Sequence, residues 1–193
     1  VWDGIGEKRT LKMMRWGLIP GWARDKSIGY KMINARAETV NQKPSFKMPF
    51  RKRRCLVIAD SFYEWKKTCN KKVKIPIRFM LRDGEPFAFA GLWDSWESPE
   101  GEMVHSYTII TTAANQIMKP VHDRSPVILR KEGEALWLDP HVKDDDRLLP
   151  LLTPYDSAMM KCYPVSDIVN SPKTDSPECI EPAEIKGVTG SLL

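Results

Sequence analysis

The sequence has no pair of cysteines at C-x-x-C spacing, and its cysteines are scattered at Cys55, Cys69, Cys162 and Cys179. This scatter argues against a disulfide framework and favours reduced thiols in a cytosolic protein. Histidine is equally sparse, since the chain has only His105, His122 and His141. These three lie too far apart in sequence for a local metal motif, so we expect no metal site and no cofactor.

Long apolar runs are also missing. No segment approaches the roughly 20 apolar residues of a membrane-spanning helix, and there is no signal-peptide pattern, internal repeat or low-complexity linker. The 193 residues suffice for one sizeable core and are too few for two comfortable ones. We therefore expect one soluble domain over residues 1–193 that makes no contact with a membrane. We expect the protein to be a cytoplasmic monomer that associates with the nucleoid when it is bound to DNA.

The net charge of +5 comes from one part of the chain. Residues 43–74 hold eleven Lys or Arg against two acids, so this segment carries +9 and the remainder −4. Its basic runs, KMPFRKRR and KKTCNKKVK, bracket Phe62, Tyr63 and Trp65. Cations interleaved with aromatic rings suit phosphates and unstacked bases. The pattern favours nucleic-acid binding, and a solvated lysine-rich loop is the alternative.

The hydrophobic pattern predicts an α+β domain built on a mainly antiparallel sheet with short peripheral helices. Strand patterns occur at residues 55–65, 77–81, 86–92, 107–112 and 162–169. The RDGE segment between the second and third predicts a hairpin, because Asp-Gly is a strong turn signal. Helical patterns are shorter, at residues 37–46 with an interruption near Pro44, at a turn capped by Asn115, and at residues 131–138 and 144–152.

One strand places a carboxylate in apolar company. Counting by twos along ADSFYEWKK, residues 59–67, puts Glu64 on the same face as Phe62, with Tyr63 and Trp65 on the other. An ionised carboxylate is costly to bury without a partner. Either the strand ends there and Glu64 reaches water, or desolvation raises its pKa and equips it for proton transfer.

Two further polar residues stand beside apolar runs. Asn34 lies in MINARAET, and His122 lies in KPVHDRSPVIL between two apolar stretches. Together with Glu64 they could form a proton-transfer group with an orienting amide. Taken singly, each also has a structural interpretation, as a turn amide, a loop histidine and a strand-end charge. No common nucleophile or phosphate-loop motif occurs, and Cys55, in an apolar strand, suits a packing role better than a reactive one.

Seven motifs follow one another in order between about residues 14 and 182: MRWGLIPGWA, INARAET, RRCLVIADSFYEWK, FAFAGLWDSW, SYTIITTAAN, VHDRSPVIL and YPVSDIVNSPKTDSPECIEP. Each alone is a weak signal, but the ordered set is specific. Together they resemble the SOS-response-associated peptidase (SRAP) family.

The resemblance implies a DNA-damage-response enzyme that binds single-stranded DNA and cross-links covalently to abasic sites. In the family, an amino-terminal cysteine condenses with the ring-opened aldehyde and closes a thiazolidine, and autocatalysis removes the leader, which implies peptidase and lyase-like chemistry. By motif, Asn34 would position the terminal amine, Glu64 would be the acid/base, and His122 would assist Schiff-base formation and reversal.

The resemblance also implies the DNA contacts. Arg36 would hold a phosphate, and Trp16 and Trp65 would line the DNA groove. Arg53 and Arg54, from the basic segment, are expected to contact the backbone as well.

The chain departs from the family at its first residues. It begins VWDG, and the family's amino-terminal C-G-R segment, with the catalytic cysteine, is not in it. We expect this chain to bind DNA and to be inactive in cross-linking by itself. Two alternatives are a non-covalent single-stranded-DNA-binding module and a cysteine peptidase that acts on proteins through Cys55 and His122.

Overall fold

The structure is a computed structural model that describes residues 9–68 and 73–184. Cys69 and part of the second basic run, at residues 69–72, lie outside the described residues. By its internal contacts the chain divides into two compact units. The first comprises residues 9–58, 88–112 and 126–155, and the second takes the described residues between and after them. Neither unit is a continuous stretch of sequence.

Strands predominate in the middle of the described residues, and most of the helices lie before and after them. The strands are β1 (Arg15–Trp16), β2 (Asn34–Arg36), β3 (Arg54–Ala59), β4 (Ser61–Lys67), β5 (Lys74–Leu81), β6 (Phe87–Glu97), β7 (Met103–Ala113), β8 (Arg124–Pro126) and β9 (Met160–Pro164). The α-helices are α1 (Pro44–Lys52), α2 (Lys131–Leu138) and α3 (Asp145–Leu148).

The sheet of the first unit is organised around β7. This strand pairs antiparallel with β6 and parallel with the short strands β1 and β2, and β6 pairs with β3 on its other side. Alternate residues of β7 are buried, so one face of the sheet packs on the core. That core contains Leu92 and Ile110 from the sheet and Phe50 and Trp137 from the helices.

The ends of α1 and α2 meet at a single buried side chain, Arg54, which is 4% exposed. Its guanidinium donates to the carbonyl oxygens of Phe50, Arg51, Trp137, Asp139 and Val142. The last carbonyls of a helix have no partner within the helix, and a cation is favoured at this end of the helix dipole. Arg54 therefore satisfies the carboxyl ends of both helices with one charged group.

The second unit contains an antiparallel sheet in the order β4-β5-β9. Phe62 and Phe79 are directly paired across β4 and β5, and their rings stack at 5.3 Å between centroids. The next pair, Tyr63 and Arg78, points to the other face, where Arg78 donates to the Tyr163 hydroxyl at 2.6 Å. This sheet thus has an apolar face and a face with polar partners.

The α+β class, the mainly antiparallel pairing and the short helices predicted from the sequence are confirmed. Helix α2 has the predicted limits, and β7 contains the predicted strand at residues 107–112. Asn115 Oδ1 accepts from the Met118 backbone N–H at 3.1 Å, as expected of a cap. The helix expected at 144–152 forms as α3, and the Asp144 side chain caps its first turn. A 3-10 turn, Leu149–Leu151, follows α3.

The single strand predicted over residues 55–65 is wrong. The chain bends at Asp60 and passes from β3 into β4, which belongs to a different sheet. The Asp60 carboxylate accepts from the Ser61 hydroxyl at 2.9 Å and lies 3.6 Å from the Arg78 guanidinium. The alternation of faces therefore holds within each strand and does not continue across Asp60.

The hairpin predicted at RDGE is also wrong. The turn itself forms, with Gly84 at a φ of +82° and its N–H bonded to the Leu81 carbonyl at 3.1 Å. However, the flanking strands β5 and β6 pair in different sheets. A turn signal fixes the reversal of the chain and leaves open whether the two strands pair with each other.

Proline and local capping explain two further differences. The predicted helix at 37–46 is replaced by a 3-10 turn, Ala37–Thr39, and by α1, which Pro44 begins because proline suits the first helical turn. The last strand ends at Pro164, and a 3-10 turn capped by Ser166 follows it.

Candidate active site

Glu64 occupies the edge strand of the second unit's sheet, opposite Ile77 of β5. It shares a face with Phe62, as the alternation predicted. Its side chain is half-buried, and this burial raises the pKa of the carboxyl group. Asp123 raises the pKa as well, whereas the positive charge available on His122 and the Trp65 backbone N–H lower it. The net direction is upward, so Glu64 retains a proton to higher pH than an exposed glutamate does.

His122 is held by a turn in the same unit. Its backbone N–H donates to the Met118 carbonyl at 3.0 Å. The ring Nδ1 accepts from the Arg124 backbone N–H at 3.0 Å, which in the neutral ring places the proton on Nε2. When the ring is protonated, Nδ1 can instead donate to Asp123 Oδ1, 3.3 Å away. Both protonation states of His122 therefore have a nearby partner.

The second unit brings Glu64 and His122 within electrostatic reach of each other. A carboxyl group with a raised pKa and an imidazole with hydrogen-bond partners in both protonation states are suited to donating and accepting protons in one site. Asn34 belongs to the first unit. Its convergence with Glu64 and His122 stays a prediction.

Trp65 lies on the opposite face of β4 from Glu64. Its indole is 37% exposed, and Nε1 donates to Asn170 Oδ1 at 2.7 Å. It forms one wall of an open groove of about 520 Å³, lined by Trp65, Val73, Lys74, Asp167 and Asn170. The groove offers an aromatic surface and a cation, but on the other side of the strand from the Glu64 carboxyl group.

In the first unit, three of the predicted residues share one sheet face. We call this the β7 face: the side chains of His105, Tyr107, Ile109 and Thr111, with the residues paired to them, opposite the core. Asn34 pairs with Ile109, and Arg36 with Thr111. Trp16 pairs with Tyr107, which pairs on its other side with Trp93. Residues paired across strands project to the same side, so Arg36, Asn34 and Trp16 follow one another along β7, about 7 Å apart.

Trp16 and Arg36 are accessible on this face. The Trp16 ring is 52% exposed and is oriented by a bond from Nε1 to the Ile33 carbonyl at 2.9 Å. Arg36 is exposed as well. An oriented aromatic ring and a cation on one surface are the parts that single-stranded nucleic acid binders use.

Arg53 and Arg54 are neighbours in sequence with different environments. The Arg53 side chain is 42% exposed, and its Nη1 lies 2.7 Å from Asp94 Oδ1. The Arg54 guanidinium is buried and already donates to five carbonyl oxygens. Burial lowers its pKa to about 10, so it stays charged at neutral pH but is not available to a phosphate. We correct the prediction for Arg54 from a DNA contact to a structural residue.

Sequence reasoning missed Trp93, Tyr107 and His105, which complete the β7 face beside the predicted residues. The alternation in HSYTII and LWDSW carries this signal, but only the pairing register shows which residues stand side by side. It also missed Asp123, whose charge acts on Glu64.

Two of the described cysteines, Cys55 and Cys162, do not offer a ready thiolate. Cys55 is 4% exposed, and burial raises its pKa to about 12. Burial also raises the pKa of Cys162 to about 11. These shifts count against a peptidase that uses Cys55 as its nucleophile. Over residues 9–68 and 73–184 there is no group of three or more His, Cys, Asp or Glu side chains placed to hold a metal ion, and no helix long and apolar enough to span a membrane.

Comparison with known proteins places these features in a family. The family model described as SOS response associated peptidase (SRAP) matches residues 4–172. Abasic site processing protein YoqW of Bacillus subtilis (strain 168) is 54% identical over 176 residues, which span 91% of this chain and 78% of the relative. Abasic site processing protein HMCES of Rattus norvegicus is 32% identical over 212 residues, spanning 95% of this chain and 60% of the relative.

A solved structure has a similar fold. A crystal structure of a protein from Bacteroides thetaiotaomicron matches with a TM-score of 0.82 and 32% sequence identity, over 89% of this chain and 76% of that chain. The family model, the relatives and this structure agree over most of the sequence, and the chain belongs to the SRAP family.

Proposed function

We propose that the protein binds single-stranded DNA and processes abasic sites in the DNA-damage response, by covalent capture of the ring-opened aldehyde. The relatives named above are abasic site processing proteins, which supports the substrate. The observation that most supports the chemistry is that Glu64, with its raised pKa, lies within electrostatic reach of His122 in the second unit.

Capture of an aldehyde by an amine needs a base and an acid. The amine must lose a proton as it attacks, and the hydroxyl group of the adduct must gain one to leave as water. Protonated Glu64 can supply the second proton, and neutral His122 can take up the first. A thiol that then adds across the carbon–nitrogen double bond closes a thiazolidine, with the thiol proton passing to the nitrogen. Asn34 would orient the amine.

The cross-linking group that the resemblance implies is an amino-terminal cysteine, which has an amine and a thiol on one residue. Cys55 and Cys162 are poor substitutes, because their thiols have raised pKa values and their amines are tied up in peptide bonds. We propose that the mature full-length protein presents this cysteine. The same proton-transfer pair would serve autocatalytic removal of the leader.

DNA would be held by accessible cations and aromatic rings. On the β7 face, Arg36 would contact a phosphate, and Trp16 would stack on a base. Arg53 would contact the backbone from the same unit, and Trp65 would contribute the wall of its own groove. Such contacts release counterions, so affinity should fall with salt and show little sequence preference.

The test is a denaturing gel of full-length protein, expressed from its native start codon and mixed with single-stranded DNA that carries one abasic site. We expect a heat-stable shifted band. Glu64→Gln should slow its formation about 100-fold, within the usual range for loss of a general acid, at wild-type DNA affinity. Glu85→Gln, at an exposed turn of the same unit, is the matched control and should react at the wild-type rate.

Two outcomes would contradict the proposal. If the wild-type protein binds the DNA under native conditions but gives no shifted band, the protein is a non-covalent binding module. If Glu64→Gln loses affinity and rate by the same factor, Glu64 is a binding residue and not a proton carrier. His122→Ala is expected to slow release of DNA from a preformed cross-link, and an unchanged release rate would remove His122 from the mechanism.

A further inference from the structure

A second cluster of DNA-compatible groups lies at one end of the β7 face. Trp93 and His105 contact each other edge to face, with ring centroids 6.2 Å apart. The Arg53 guanidinium lies 5.9 Å from the Trp93 ring centroid and is fixed by the buried Asp94. Asp94 is itself held, because its carboxylate accepts from the Gly21 and Ser95 backbone N–H groups. The cation of this cluster is therefore positioned before any ligand arrives.

His105 is oriented by a cross-strand partner. Ser95 stands directly opposite it in β6, and Ser95 Oγ lies 2.8 Å from His105 Nδ1. When the Ser95 hydroxyl donates to Nδ1, the neutral ring carries its proton on Nε2. In the imidazolium, Nδ1 donates to Ser95 and Nε2 again carries a proton. Both of these states keep a donor on the ring nitrogen that Ser95 does not engage.

Within the β7 face, the cluster is displaced from Asn34 along a single strand. His105 is four residues from Ile109, the partner of Asn34, which corresponds to about 14 Å along β7. Trp16 and Tyr107 stand between them on the same face. Arg36, in contrast, lies beyond Asn34 in the other direction. DNA held at Asn34 must extend past that residue, toward one end only, to reach His105.

We propose that Arg53, Trp93 and His105 form a second DNA subsite on the first unit, which binds a phosphodiester and its adjoining nucleotide to one side of the abasic residue. Arg53 and His105 Nε2 donate to the phosphate oxygens, the commonest partners of such donors in protein–DNA contacts. Trp93 supports the guanidinium and offers its remaining surface to the sugar and base. This inference rests on the proposed function, because it assumes that single-stranded DNA follows the β7 face.

Oligonucleotide length separates this subsite from the rest of the binding surface. Fluorescein-labelled oligothymidylates that carry one tetrahydrofuran abasic analogue would be extended stepwise by one to eight nucleotides, on the 5′ side in one series and on the 3′ side in the other. Affinity would be measured by fluorescence anisotropy for the wild-type full-length protein, for His105→Gln and for Arg53→Gln. His141→Gln, at an exposed histidine elsewhere in the same unit, is the control.

We expect the wild-type affinity to rise in one series more than in the other. The loss caused by His105→Gln should grow with extension in that series and reach about tenfold, as expected for a hydrogen bond to a charged group. Arg53→Gln should also reduce the slope of log affinity against log salt by about 0.7, the value for one phosphate contact on a single strand. His141→Gln should match the wild type at every length.

Failure of the subsite differs from failure of the proposed function. If wild type cross-links abasic DNA but His105→Gln weakens all lengths by one factor, or none, the subsite is refuted and the proposed function stands. If wild type neither binds these oligonucleotides nor gives a cross-link, both are refuted. Circular dichroism of the variants, expected to match the wild type, excludes misfolding as the cause of a loss.

Discussion

Replacement of Arg54 by methionine tests the structural role assigned to this residue against the DNA contact first predicted from its basic segment. Methionine retains an unbranched apolar stem of similar length and removes the guanidinium. Five carbonyl oxygens at the ends of α1 and α2 and in the chain after α2 then lose their donor. The change is expected to destabilise the first unit strongly.

The magnitude follows from those bonds. A buried polar group left without its partner costs about 1–3 kcal/mol. Partial relaxation of the structure and entry of water should keep the cost for each carbonyl group near the lower end of this range, at about 1 kcal/mol. For the five carbonyl groups together, the expected loss in the free energy of unfolding is about 4–5 kcal/mol. This agrees with the roughly 3–5 kcal/mol measured when one partner of a buried charge interaction is removed. It is a large part of the 5–15 kcal/mol that stabilises a typical domain.

Urea unfolding followed by far-ultraviolet circular dichroism measures the loss. At a slope of about 2 kcal/mol per molar urea, Arg54→Met should lower the midpoint by about 2 M. Arg54→Lys should recover only part of it, because an ammonium cannot make the forked bonds. Lys52→Met, exposed at the end of α1, is the control and should stay within about 0.3 M of the wild type. A wild-type midpoint for Arg54→Met, combined with lost DNA affinity, would refute the structural assignment.

Three further outcomes are expected. Burial raises the pKa of Glu64 in the folded protein above its unfolded value. The stabilising contribution of Glu64 is therefore present at low pH and is lost as pH rises through the folded pKa. In thermal unfolding, the stability of Glu64→Gln relative to wild type should increase from pH 4 to pH 8, and an equal stability difference at the two pH values would contradict the raised pKa. Gly17→Ala should lower Tm by about 5–10 °C, because Gly17 has a φ of +108° and a Cβ there would lie 2.6 Å from the Gly29 carbonyl oxygen. The control is Gly84→Ala, where φ is +82° and the added Cβ would meet open space, and it should lower Tm by no more than about 4 °C. Cys55→Ala should cost about 1–2 kcal/mol in a urea titration and leave the cross-linking rate at the wild-type value; loss of cross-linking would restore Cys55 as a nucleophile.

Features with a local cause were predicted from the sequence. Helix α2, the strand at residues 107–112 and the Asn115 cap depend on side chains within a few positions of each other. The same holds for the alternation that places Glu64 with Phe62, because successive residues of a strand project to opposite faces whatever sheet the strand joins.

Features that depend on distant partners were not predicted. Whether a strand continues past Asp60, or whether two strands beside a turn pair together, depends on which strands are available elsewhere in the chain. The basic run is the clearest case: Arg53 and Arg54 look equivalent in sequence, yet Arg53 lies half-exposed beside Asp94 and Arg54 is buried at two helix ends. Charge counting cannot separate them, because the acceptors of Arg54 include carbonyls that lie 83 to 88 residues further along the chain.

That separation has a consequence for synthesis on the ribosome. At about 5–20 residues per second, the carbonyls of Trp137, Asp139 and Val142 are made roughly 4–18 s after Arg54. During this interval α1 and Arg54 exist without helix α2, whose carbonyl groups complete the hydrogen bonds of Arg54. A nascent chain that ends before about residue 142 therefore cannot close the core of the first unit. A pause or premature stop in this region should leave a basic, partly apolar segment exposed to chaperones and proteases.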